Sequence, residues 1–260
     1  MIRSLWIAKT GMEGQQTKLD AIANNLANVG TNGYKRSGVV FEDLMYQNLR
    51  TAGSSTSEQS QLPTGLQVGL GVRAAATTRN FSQGALQQSG NSLDVAIKGP
   101  GFFQIQMPDG STGYTRDGAF QTDASGQIVT NAGYVLQPGI TIPATATAVT
   151  ISDLGVVQAT LASQVAPQTL GTIQLASFIN PAGLDPKGGN IFGETAASGT
   201  ANAAAPGASG HGTLQQGMVE GSNVNVVEEL VNMIATQRAY ELNSKAIQTS
   251  DQMLQRLGQL

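Results

Sequence analysis

The feature that most constrains this chain is where its prolines fall. All nine lie between positions 63 and 206, so residues 1–62 and 207–260 contain none. Proline removes a backbone donor and clashes with the preceding helical turn, so long proline-free ends are where uninterrupted helices can form. A Pro- and Gly-marked centre is where turns and strands belong. The distribution predicts an α+β chain: helical termini around a β-rich middle.

Both ends carry helical periodicity. At the amino end Leu5, Ala8, Met12, Gln15, Leu19, Ile22, Leu26 and Val29 step alternately by three and four, the spacing of a heptad seam. A helix over residues 4–29 follows, with Asn32-Gly33 offering a left-handed turn to stop it. Gly11 and Gly14 weaken it by about 1 kcal/mol each relative to Ala. At the carboxy end Asn225 with Glu228 three residues on forms a capping box, and Glu228 and Glu229 favour the positive start of a helix over 226–257. Its seam runs Val226, Leu230, Met233, Gln237, Tyr240, Ser244, Ile247, Asp251 and Leu254, broken by polar residues. Heptads alone fit internal and intermolecular packing equally well.

Residues 72–220 read as a β-rich domain, a short-strand sandwich or barrel. Turn signals at Asp109-Gly110, Asp117-Gly118, Ser125-Gly126 and Ala132-Gly133 recur about every eight residues, between strand-like runs such as Phe102-Phe103-Gln104-Ile105 and Ile128-Val129-Thr130. Residues 36–71 are expected to be a linker and insert, partly extended, with Ala52–Ser60 reading as a loop or extended insert. The Ala-, Gly- and Ser-rich stretch 196–212 reads as a flexible loop.

Composition excludes several chemistries. There is no cysteine, which removes disulfides, thiol nucleophiles and iron–sulfur or zinc–thiolate sites. The single histidine, His211, excludes multi-histidine metal centres and is expected to be an exposed loop residue. A net charge of −3 with scattered basic residues gives no footprint for nucleic acid. No apolar run reaches the ~18–20 residues of a membrane span, and the amino end lacks a signal-peptide pattern. Only 12% of residues are charged, about half the usual ~25%, which suits a subunit packed against its own kind. Gly69-Leu70-Gly71-Val72-Arg73-Ala74 resembles a dinucleotide loop, but no helix follows and a glycine-rich strand entry is the better reading. Asp109, Asp117 and Asp123 sit at turn signals, where Asp bonds its own backbone, and not as a catalytic carboxylate pair. No catalytic residue, metal or cofactor is expected.

Three blocks together resemble one family. Ala23-Asn24-Asn25-Leu26-Ala27-Asn28-Val29-Gly30-Thr31-Asn32-Gly33-Tyr34-Lys35 is similar to the amino-terminal signature of flagellar rod and hook proteins. Glu228 to Ile234, then Gln237-Arg238-Ala239-Tyr240-Glu241 and Asn243-Ser244-Lys245-Ala246, is similar to their carboxy-terminal signature. Asp94 to Phe103 with Tyr114-Thr115-Arg116-Asp117-Gly118 resembles their shared middle domain. The blocks lie in the family's order, and the opening residues, the length and the insert between Tyr46 and Gly71 resemble the branch that builds the distal rod.

The resemblance implies a coiled-coil domain made by pairing the terminal helices (residues 1–35 and 221–260), which line the inner tube of a helical homo-oligomer. It implies partners in the proximal rod proteins, the hook protein, the P- and L-ring bushing and the flagellar export apparatus, with no nucleic acid and no membrane insertion. The site expected is an assembly seam of Leu5, Met12, Leu19, Ile22, Leu26, Leu230, Met233, Tyr240, Ile247 and Leu254. Asn24, Asn25, Leu26, Ala27, Asn28, Asn32, Gly33 and Lys35 carry the family signature. Location in a periplasm-spanning rod, reached by export without a cleaved signal, is implied likewise. The runner-up within the structural class is another axial component, a proximal rod or hook protein, and the competing reading of another class is a glycan-acting enzyme of the periplasm.

Overall fold

The computed structural model describes residues 2–51, 55–57, 60–61, 64–162 and 166–257. The chain divides into two compact units: residues 1–26, 37–78 and 225–260 form one, and residues 27–36 and 79–224 the other.

The first unit holds both long helices, α1 (Ile2–Ala27) and α2 (Val226–Leu257). Asn225 starts α2 by accepting hydrogen bonds at Oδ1 from Val227 N (3.1 Å) and Glu228 N (3.4 Å), which satisfies amides that have no intrahelical partner. The helices touch where α1 is slimmest. A Cβ on Gly11 would lie 3.0 Å from Asn243 Nδ2 of α2, and one on Gly14 would lie 3.2 Å from Phe41 Cε1. The two glycines that weaken α1 by propensity thus let neighbours close onto it.

The same unit holds two ladders. Strand Ser37–Asp43 pairs with Val72–Arg79, and Tyr46–Arg50 pairs antiparallel with Leu66–Gly69. Leu44 N donates to Gly71 O at 2.9 Å between the two ladders. Gly71, with φ +118, approaches α1 so closely that any Cβ would collide with Thr10 Oγ1. The glycine-rich run read as a strand entry is therefore the base of the insert. Short extended strands form at Ser55–Ser57 and Ser60–Gln61, in and beside the stretch expected as a loop or extended insert; the rest of Ala52–Ser60 lies outside the described residues.

The second unit is built on a nine-stranded sheet around Phe102–Gln106, which pairs antiparallel with Thr112–Thr115, Val135–Leu136 and Leu175–Ser177. The sheet is an open path and not a closed barrel, correcting one of the two architectures expected. Alternate side chains of a strand leave opposite faces, and here both faces are buried. Phe103 and Ile105 join the main core with Val95, Ile97, Phe120, Leu136 and Leu175. Phe102 faces a second cluster with Tyr114, Phe178, Leu184 and Phe192. Edge-to-face ring contacts, such as Tyr114–Phe178 at 4.8 Å and Phe102–Phe178 at 5.8 Å, order that second cluster.

Two loop expectations are overturned. The 196–212 stretch supplies a strand, Asn202–Ala204, paired with Leu175–Ser177. His211 is buried, with Nδ1 2.9 Å from Ala208 O and Nε2 2.9 Å from Asn202 O. The segment joins the sheet through that strand, and the imidazole closes it onto its own backbone.

Candidate assembly interface

The seam residues are placed unevenly. On α1, Ile22 is buried, whereas Leu5, Met12, Leu19 and Leu26 are half-buried. On α2, Met233, Ile247 and Leu254 are half-buried, whereas Leu230 and Tyr240 are 42% and 39% exposed. The α2 side chains that the chain buries deepest are Glu229 and Thr236, one position before Leu230 and Gln237. The most protected face of α2 is thus polar and small, and the apolar seam flanks it. Outside that seam, Val227, Val231, Ile234 and Leu242 are 59–70% exposed. On α1, Trp6 is 55% exposed and Ile7 36%. A single chain leaves this much large apolar surface in water only when a further surface is to cover it.

The signature residues have separate local tasks. Asn25 holds the start of the Ser37–Asp43 strand: its Nδ2 donates to Ser37 O (2.8 Å) and its Oδ1 accepts from Ser37 N (2.9 Å). Asn28 accepts at Oδ1 from Thr31 Oγ1 (3.2 Å) in the turn that follows α1. Asn32 O accepts from Asn190 Nδ2 at 2.8 Å. Gly33, at φ +69, packs against the Arg116–Asp117 backbone and donates its N–H to Glu220 O at 2.7 Å. Asn24 and Ala27 are exposed. The helix ends at Ala27, earlier than the Asn32-Gly33 turn predicted, because the Asn28–Thr31 turn stops it first.

Lys35, the last of the signature, is fully buried. Its Nζ lies 2.6 Å from Glu220 Oε1 and donates to Ser82 O at 2.8 Å. Glu220 is also fully buried and faces Arg116 Nε across 3.2 Å from its Oε2. Burial pushes the Lys35 ammonium below its usual pKa, with the Glu220 carboxylate opposing that shift and Arg116 adding to it. Burial likewise lowers Arg116, against the pull of Glu220. Sequence reasoning missed Glu220. The only signal was a lone acidic residue in the otherwise uncharged run from residue 212 to 227.

The turn aspartates bond as turn aspartates do. Asp109 Oδ1 accepts from Ser111 N (3.0 Å) and Ser111 Oγ (2.6 Å), and Asp123 Oδ1 accepts from Ser125 N (2.9 Å) and Gln127 N (2.8 Å). Ser125 Oγ also donates to Asp123 Oδ2 at 2.7 Å, and these bonds, chiefly the serine hydroxyls, hold both carboxyls below the ordinary carboxylate value. Asp117 accepts from Ala119 N at 3.1 Å, and burial raises its pKa. Among the described residues no cluster of metal-ligating side chains occurs, and no helix is long and apolar enough to cross a membrane.

Comparison with known proteins matches this arrangement segment by segment. Residues 5–35 match the flagellar basal-body rod protein model, 96–159 the D1 domain of flagellar hook proteins FlgE/F/G, and 215–260 the FlgEFG carboxy-terminal model. The flagellar basal-body rod protein FlgG of Buchnera aphidicola subsp. Schizaphis graminum is 55% identical over the full length of both chains. That of Caulobacter vibrioides is 50% identical over all of this chain and 99% of its own. The chain belongs to the flagellar basal-body rod protein family. It is thus an axial structural subunit of the bacterial flagellum. Similarity to a hook protein, FlgE of Helicobacter mustelae, is 44% but covers only 53% of this chain and 30% of the hook protein.

Proposed function

We propose that this chain assembles with its own copies into the helical, hollow distal rod of the basal body, a drive shaft that transmits torque from motor to hook. The observation that carries the reading is the apolar surface left open along α2 in a chain whose relatives of the same length are rod proteins. A heterologous contact between non-identical patches generates an open helix of subunits when its rotation does not close into a ring. In this reading α1 and α2 pair as a coiled coil, and their seam, including Leu26, Leu230 and Tyr240, meets neighbouring copies along the inner tube.

In the assembly this reading implies, the charge-poor surface of the β unit meets other copies and the surrounding rings. The paired strands Tyr46–Arg50 and Leu66–Gly69, with Met45 just before the first, place four large apolar side chains in the open, Met45, Tyr46, Leu49 and Leu66. They equip residues 44–71 to bridge neighbouring subunits and stiffen the shaft. Export through the flagellar channel and contacts with the hook and the proximal rod complete the proposal. The work is mechanical and needs no catalytic group.

The test is to delete residues 44–71 in the chromosomal copy and view basal bodies by electron cryomicroscopy. The proposal expects rods that assemble but bend; straight, rigid rods would remove the insert from the mechanism. A peptidoglycan-release assay on the purified chain should give the buffer background, and sustained release would reinstate an enzyme.

A further inference from the structure

The β unit buries Lys35, Arg116 and Glu220 against one another, away from the apolar interface. Lys35 and Glu220 have fully buried side chains and that of Arg116 is 4% exposed. One carboxylate serves two cations. Glu220 Oε1 takes Lys35 Nζ at 2.6 Å and Gly84 N at 2.9 Å, while Oε2 faces Arg116 Nε at 3.2 Å. The remaining donors go to main-chain carbonyls: Lys35 to Ser82 O, and Arg116 to Gly99 O and Gly101 O. Residue 220 grips the same segment through its backbone as well, since its carbonyl accepts from Gly33 N.

Lys35 and Glu220 are 185 residues apart in the chain. They mark where it enters the β unit after α1 and where it leaves before α2. A second side chain spans the same two places: Asn223 Oδ1 accepts from Arg36 N at 2.7 Å, and its Nδ2 donates to Asn80 O at 2.8 Å. Burying an ion without its counter-ion is far costlier than leaving both partners out. With residue 220 unseated, two buried cations have only carbonyl dipoles. With Lys35 unseated, the carboxylate keeps a single cation.

We infer that Glu220 is an assembly-positioning residue, which makes the seating of Asn32–Arg36 and of Met218–Val224 one all-or-none event. A finished β unit then fixes both points at which the chain enters and leaves it, or neither. The coupling stands on the geometry alone; its consequence for polymer growth rests on the rod reading.

Hydrogen exchange on the full chain, read by mass spectrometry, tests it through reciprocity, because coupling between two sites acts equally in both directions. Lys35→Met should speed exchange at residues 218–224 by on the order of tenfold or more. Glu220→Gln should do the same at residues 32–36, and the double variant should fall short of the sum of the two. Ile128→Val, a lesion in the core, should lower the melting temperature without singling out these segments. Wild-type protection at 218–224 in Lys35→Met overturns the coupling, and if Glu220→Gln fails to fold, Lys35→Met alone still decides. Sedimentation velocity reads the consequence. Uncoupled Lys35→Met that polymerises like wild type overturns the positioning role. Wild type that never polymerises counts against the rod reading, whereas the exchange result stands.

Discussion

Gly71 shows what one missing Cβ does in this molecule. Its φ of +118 is a conformation that side chains rarely adopt, and Thr10 Oγ1 occupies the space a methyl would need. Gly71→Ala should destabilise the helical unit by about 1–3 kcal/mol, whereas Gly38→Ala, with open space around it, should stay within about 0.5 kcal/mol. Urea denaturation of the two variants checks the contrast. Tyr114 supplies a pH signature. Burial, then the charge of Glu194 and a 3.3 Å hydrogen bond to its Oε2, push the phenol up to about 12 from 10.0. A raised pKa means that the folded state holds the proton more tightly. This stabilisation is complete below pH 10.0 and is lost as the pH rises through about 12. Absorbance titration at alkaline pH should show one tyrosine ionising late, and Tyr114→Phe should remove that late step.

Helix α2 was legible end to end. Its proline-free run, the Asn225 cap and the acidic first turn all predict a helix over 226–257, the span observed. Asn225→Ala should cost about 1 kcal/mol of stability by thermal melting. The direction each face takes was not legible, because a heptad seam looks the same whether its own chain or a neighbouring copy covers it. The structure buries Glu229 and Thr236 most deeply and leaves Leu230 and Tyr240 partly in water. Leu230→Asp should therefore leave the melting of the single chain within about 0.5 kcal/mol while abolishing polymer growth in sedimentation velocity and motility in cells. Swimming cells with complete rods would show that Leu230 is not at the seam. In the β unit, the hairpin spacing located strands such as Phe120–Thr122 and Ile128–Thr130. It could not place Leu175–Ser177 beside Phe102–Gln106, a pairing between distant segments that turn chemistry does not encode.

Across the whole molecule, the boundary of the β unit is the clearest lesson. A unit spanning 72–220, as turn signals suggest, omits Asn32 to Lys35, which the structure assigns to it. A fragment of residues 27–224 should fold as a monomer with β-type circular dichroism. A fragment of 40–220 lacks Lys35 and should melt about 6–20 °C lower, from the cost of breaking a buried ion pair and the size of the unit. Equal melting temperatures would show that Lys35 does not bear on the unit's stability.

The sequence by itself determined the helices, the strand-rich centre, the turn aspartates, the absence of thiol chemistry and, through three ordered blocks, the family. Those are local properties: proline exclusion, caps, period and turn residues act within a few positions. Only the tertiary structure decided which helix face is open, why Gly11, Gly14 and Gly71 must be small, and that a carboxylate at 220 answers an ammonium at 35. Each of these depends on what lies opposite in space, and no spacing along the chain records it.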